Sequence, residues 1–151
     1  MWRRNEVSES PEDEARRLLV ELRILEGTAD SIRQRIAFLT AALSELNLAR
    51  MALEGIEKEE TDASLFVPIG GGSFIKAKLA DKDKVIYGVG AGISIEKTVK
   101  EAEEGIANRI SELDKAKLSL EQQLHQVLRK IQEDQTRFQE LTAQYRERER
   151  R

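Results

Sequence analysis

The chain has 151 residues, 35% of them charged, 40% hydrophobic and 5% aromatic, with a net charge of -3. So few aromatics and so many charges argue against a thick globular core, and the balance of 25 basic against 28 acidic residues gives neither a basic footprint for nucleic acid nor a polybasic face for an anionic membrane. The absence of cysteine excludes disulfides, thiol nucleophiles and cysteine metal sites, and no apolar run approaches the ~20 residues of a bilayer span.

Residues 1–10 are polar apart from Met1, Trp2 and Val7 and are expected to form a flexible N-terminal extension. Two arginines stand near the start, but no apolar stretch follows them as a signal peptide requires, so a cytoplasmic protein is expected. A helix is predicted over 11–62. Ser10 can cap it, Pro11 has its φ pre-set for the first helical position, and Glu12 and Asp13 suit the positive end of the dipole.

Within that helix Leu18, Leu22, Leu25, Ala29, Ile32, Ile36, Leu39, Leu43, Leu46, Arg50 and Leu53 recur at alternating intervals of four and three. All but Arg50 are apolar. The spacing places them on one narrow seam, the pattern of a left-handed coiled coil.

Residues 63–95 change character. Residues 64–69 form a short apolar run, and Gly70, Gly71 and Gly72 follow it. Ser73 to Leu79 then alternates, and after a polar turn at 80–84 so does the run from Val85 to Ile95. In the first of these Ile75, Ala77 and Leu79 share a face. In the second Val85, Tyr87, Val89, Ala91, Ile93 and Ile95 do, with Gly88, Gly90 and Gly92 opposite. A period of two means strands, and turns between short strands mean hairpins. Three or four strands are predicted, with Gly90 or Gly92 able to break the last run. Such a sheet exposes its edges and an apolar face, so it is expected to be covered by the inserts of other chains. Leu65, Val67, Ile69, Phe74, Ile75, Leu79, Val85, Tyr87, Gly88, Val89, Gly90, Gly92, Ile93 and Ile95 are the candidate assembly residues.

A second helix is predicted over 96–147, with Ser94 as its cap and a charged tail at 148–151. Its seam runs through Val99, Glu103, Ile106, Ile110, Leu113, Lys117, Leu120, Leu124, Val127, Ile131, Asp134, Phe138, Leu141 and Tyr145. A long helix with so narrow an apolar stripe needs a partner, and two helices of nearly equal length can pair antiparallel if the middle reverses the chain. The fold class is therefore mainly α with a small β insert, a long antiparallel two-helix coiled coil whose insert pairs with those of other chains into a shared sheet or barrel. Leu18, Leu19, Phe138, Leu141 and Tyr145 fall where both helices end, with Trp2 and Val7 beside them. End turns of a coiled coil are poorly covered, so these groups are candidates for a binding tip.

No catalytic constellation emerges. The glycines at 70–72 lack the Gly-Lys-Ser/Thr ending of a phosphate loop. Ile93 stands where a dinucleotide fingerprint needs its third glycine, and His125 is a lone histidine beside the seam. Neither cofactor nor metal is expected, and the chain is read as no enzyme.

The run Leu65-Phe66-Val67-Pro68-Ile69-Gly70-Gly71-Gly72-Ser73-Phe74-Ile75-Lys76-Ala77, with the run from Val85 to Lys97, resembles the α-type family of archaeal prefoldins. The resemblance implies an ATP-independent co-chaperone, a hexamer of two α-type and four β-type subunits, in which the α type carries two β-hairpins that assemble into an oligomeric β-barrel platform. It further implies coiled-coil tips that hold non-native proteins and pass them to a group II chaperonin. The alternative reading is a coiled-coil scaffold without chaperone activity that oligomerises through the same insert.

Overall fold

The computed structural model describes residues 10–150, so Trp2, Val7 and the rest of the extension lie outside the described residues. Six elements follow in order. They are helix α1 (Pro11–Glu57), strands β1 (Ser64–Gly70), β2 (Ser73–Lys78), β3 (Lys84–Gly90) and β4 (Ile93–Thr98), and helix α2 (Val99–Glu149). The described residues form two compact units, one of residues 10–38 and 117–150 and one of 39–116.

α1 begins as expected. The Ser10 hydroxyl accepts a hydrogen bond from the Asp13 N–H at 3.2 Å and donates to the Asp13 carboxylate at 2.7 Å. The helix ends at Glu57, five residues short of the expected 62. Beyond Ile56 no apolar residue is left to bury, and the backbone is claimed by the sheet region. The Asp62 N–H donates to the Leu79 carbonyl at 2.8 Å and the Leu79 N–H to the Ala63 carbonyl at 3.0 Å.

α2 begins at Val99 rather than 96 because Ile93–Thr98 is still a strand, with Ser94 paired to Gly88. The cap is Thr98. Its hydroxyl accepts from the Glu101 N–H at 3.1 Å, and the Glu101 carboxylate accepts from the Thr98 N–H at 3.0 Å. This reciprocal box satisfies two orphan donors at once. It also holds the Glu101 carboxyl below its ordinary range, chiefly through the backbone N–H of Thr98. At the other end α2 runs on to Glu149, past the expected 147, with Arg146 and Arg148 complementing the negative end of the dipole.

The predicted seams are the buried face. Every seam position from Leu18 to Leu53 is buried or half-buried except Arg50, and on α2 every one from Val99 to Leu141 is. In the first unit the two helices are antiparallel, since Glu14 bonds Arg137 and Glu21 pairs with Lys130. Of the polar seam positions, Asp134 is the buried one, 3% exposed. Its Oδ1 lies 2.6 Å from the Lys130 ammonium, while its Oδ2 has no partner. Contrary to expectation, α1 also holds an 18-residue window apolar enough, by length and composition, to cross a membrane. Phe38, Leu48 and Met51 add apolar character off the seam, and all three are exposed.

The insert is two separate two-stranded antiparallel sheets, β1–β2 and β3–β4. Their registers are copies displaced by 20 residues: Ser64↔Lys78 through Gly70↔Ser73, and Lys84↔Thr98 through Gly90↔Ile93, each with a shift just before the turn. The turns match as well. Gly71 and Gly72 have φ of 58° and 75°, and Ala91 and Gly92 have 51° and 75°. Two consecutive positive φ values define the I′ turn whose twist suits a hairpin, so the glycines here answer a backbone demand.

In the second unit the core is Leu53, Val99, Ala102 and Ile106, with Leu46, Ala49, Ile56, Val85, Tyr87 and Ile110 packed against it. The β3–β4 hairpin is fastened to α2 through Tyr87. A Cβ at Gly105 would lie 2.6 Å from the Tyr87 hydroxyl and 2.9 Å from its ring, so only glycine admits the ring there. Lys97 and Arg109 stand over the ring at 4.9 and 4.8 Å, and Arg109 also donates to the Gly88 carbonyl at 2.7 Å.

Gly105→Ala should therefore destabilise the protein in urea, although alanine is worth ~1 kcal/mol more than glycine in a helix. In a Tyr87→Ala background the same change should become stabilising by about that amount. Additive effects in the two backgrounds would contradict the Tyr87–Gly105 seat.

Candidate functional site

Among the described residues, an apolar groove at the helix ends and the faces of the hairpins are left uncovered. In the first unit a groove of ≈450 Å³ lies between the start of α1 and the end of α2, lined on its apolar side by Pro11, Ala15, Leu19, Phe138, Leu141 and Tyr145. It exists because the seam runs out here. Leu18 and Leu141 still bury at 5% each, but Leu19, one residue off the seam, is 51% exposed, and the last seam residue, Tyr145, is 40% exposed. Glu12, Arg16, Arg146 and Glu149 form the charged rim.

Of the tip residues expected from sequence, Leu19, Phe138, Leu141 and Tyr145 are thus brought together. Leu18 is not available. It was expected to be partly exposed, and it packs in the seam because α2 still covers that turn. Leu141 is likewise buried and contributes only the floor. Pro11 and Ala15 were missed. Ala15 lies one helical turn before Leu19 on the same face, a spacing that could have found it.

Two polar contacts tie α1 to α2 near the groove. Arg137 grips Glu14 through two hydrogen bonds of 2.7 and 3.1 Å, and the Tyr145 hydroxyl donates to the Glu12 carboxylate. The first contact holds the Glu14 carboxyl below its ordinary range, and the second pushes the Tyr145 phenol up.

The second surface is the hairpin pair. Val67, Ile69, Phe74 and Ile75 on β1–β2, and Val89, Ile93 and Ile95 on β3–β4, are all exposed large apolar side chains. Sequence reasoning placed Val85 and Tyr87 in this set as well. Both are half-buried against the chain's own helices, because the face that alternation gives to the strand packs on α2 at its base. Leu65 and Leu79 are half-buried too. Phe66 at 72% and Ile86 at 73% are more exposed than any expected residue, and they occupy the opposite face. The two-sided apolarity of the strands was legible in the unbroken runs 65–67 and 85–87. Gly88, Gly90 and Gly92 leave space free of neighbouring atoms, as a close approach by another backbone requires.

The prefoldin subunit family model matches residues 25–144. The chain belongs to the prefoldin family. It is 34% identical to the prefoldin subunit alpha of Pyrococcus horikoshii over 130 residues, covering 81% of this chain and 88% of the relative. With the prefoldin subunit alpha of Methanococcoides burtonii the identity is 36% over 109 residues, or 72% of this chain and 79% of the relative. That of Methanopyrus kandleri is 34% identical over 113 residues, 75% and 72% of the two chains. A cryo-EM structure of filamentous PFD from Methanocaldococcus jannaschii superimposes with a TM-score of 0.65 at 26% identity, covering 75% of this chain and 93% of that one. The family is one of chaperone subunits, and the similarity to alpha subunits agrees with two hairpins in the insert.

The two contacts between the helix ends titrate in opposite directions. Glu14 is depressed, so its contribution is present above its unfolded pKa and is lost as pH falls through the folded value. Tyr145 is raised, so its contribution is present below its unfolded pKa and is lost as pH rises through the folded value. Thermal midpoints measured across pH should show Arg137→Gln flattening the acid limb only, and Tyr145→Phe the alkaline limb only. Unchanged limbs would mean that solvent already screens both pairs.

Proposed function

We propose that the chain is a subunit of an ATP-independent holdase that captures non-native proteins in the helix-end groove and delivers them to a group II chaperonin. The observation that carries this reading is the cluster of exposed Leu19 and Tyr145 and half-buried Phe138 over the buried floor of Leu141. An unfolded protein presents scattered apolar side chains. One groove with a few such groups would hold them weakly, in the roughly millimolar to micromolar range. Several grooves around one client raise the effective concentration, so avidity grows by orders of magnitude while each contact still lets go quickly. Capture and release then need no nucleotide.

The second surface supplies the multiplicity. The exposed faces of β1–β2 and β3–β4 pair with those of other subunits in a barrel platform, with two copies of this chain and four of a β-type subunit, and the assembly works in the cytoplasm. Glycine at 88, 90 and 92 lets a neighbouring strand approach, and the apolar side chains bury without disturbing the chain's own core. A second reading, a scaffold built from copies of this chain, is favoured by the filamentous relative.

Mixing the chain and a β-type partner with a chemically denatured protein, at stoichiometric ratio and without ATP, should suppress aggregation. Leu19→Asp with Phe138→Asp should abolish suppression while leaving assembly intact; full suppression by this variant would remove the groove from the mechanism. Val89→Asp with Ile93→Asp should keep helicity and lose the oligomer by light scattering. An unchanged mass would refute assembly through the hairpins.

A further inference from the structure

We propose that the N-terminal segment of this chain, residues 1–9, docks into the helix-end groove through Trp2 and competes there with clients. The inference rests on the groove as the client site and concerns its regulation. Three observations support this occupant. Pro11 is both the first residue of α1 and part of the groove's lining, so α1 begins at the groove's edge. The eight steps from Trp2 to Ser10 span at most about 26 Å at ~3.3 Å per residue, enough to fold back over the opening. The segment is also chemically matched. Trp2, the single tryptophan of the chain, offers a large rigid ring to Leu19, Phe138 and Tyr145, and Arg3, Arg4, Glu6 and Glu9 meet a rim that carries both Glu12 and Arg16.

Tethering decides the magnitude. A segment held by so short a linker has an effective concentration on the order of millimolar. One indole with a few neighbours binds in the same range, so the groove is occupied about half the time. That is weak enough for a multivalent client to displace and strong enough to shield the apolar surface when no client is present.

The lone tryptophan gives a direct readout in the full chain without any client. Its emission should be blue-shifted and protected from iodide. Leu19→Asp should shift it to the red and raise quenching. Emission already typical of water and unmoved by Leu19→Asp would overturn the proposal. A blue shift that vanishes on dilution would overturn it too, by placing Trp2 in another copy. In the assembled complex Trp2→Ala should strengthen client holding about twofold, the factor expected from emptying a half-occupied site; weaker holding would instead make Trp2 a client contact and contradict competition. Should Leu19→Asp with Phe138→Asp leave holding intact while Trp2 stays shielded in the unchanged groove, the client reading fails and the docking stands.

Discussion

Everything in this chain depends on the narrowness of the seam. Positions spaced four and three apart cover only a stripe of each helix, so neither helix can persist without its partner, and the pairing leaves every other face to water. A wider stripe would recruit further helices and bury the residues beside it. Because it does not, Leu19 lies one position off the buried line and stays exposed, and the groove follows from where the pairing ends. Asp134 shows how strictly the seam is kept. A carboxylate sits there almost fully buried, its charge met by Lys130 from the next turn, and the seam continues on both sides of it.

The same economy governs the insert. Two-stranded sheets cannot cover their own faces, and here the second hairpin is seated only at its base. Val85 and Tyr87 give the second hairpin an anchor on α2 through the space left by Gly105, and beyond them Val89, Ile93 and Ile95 project uncovered. Prefoldin subunits are thus built from elements that are each incomplete alone. Anchoring a hairpin at its base while leaving the rest bare fixes its direction before any partner arrives.

The helices and their seams were legible because periodicity is a long-range signal, repeated over dozens of residues. The I′ turns were legible in part, from the glycine clusters. What the sequence hid was local competition. Ser94 looked like a helix cap, yet the ladder with Gly88 claimed it, and Thr98 with Glu101 formed the cap instead. The 20-residue copy of one hairpin by the other was also hidden, since few residues repeat beyond Gly70, Gly72 and Ile75 at Gly90, Gly92 and Ile95. Which face of a strand meets its own helix cannot be read from alternation, and for that reason the packing of Tyr87 at Gly105 was hidden. At the helix ends, membership of the seam predicted burial better than proximity to the terminus did, as Leu18 shows.

The central claim is a division of labour between the hairpins, which assemble, and the helix ends, which hold clients. Hydrogen exchange on the complex with a β-type partner, before and after adding a denatured protein, tests it most directly. Assembly should protect amides in 64–98, and the client should add protection only within the helix-end residues of 11–38 and 117–149. Client-induced protection in the hairpins, with the helix ends unchanged, would contradict the account.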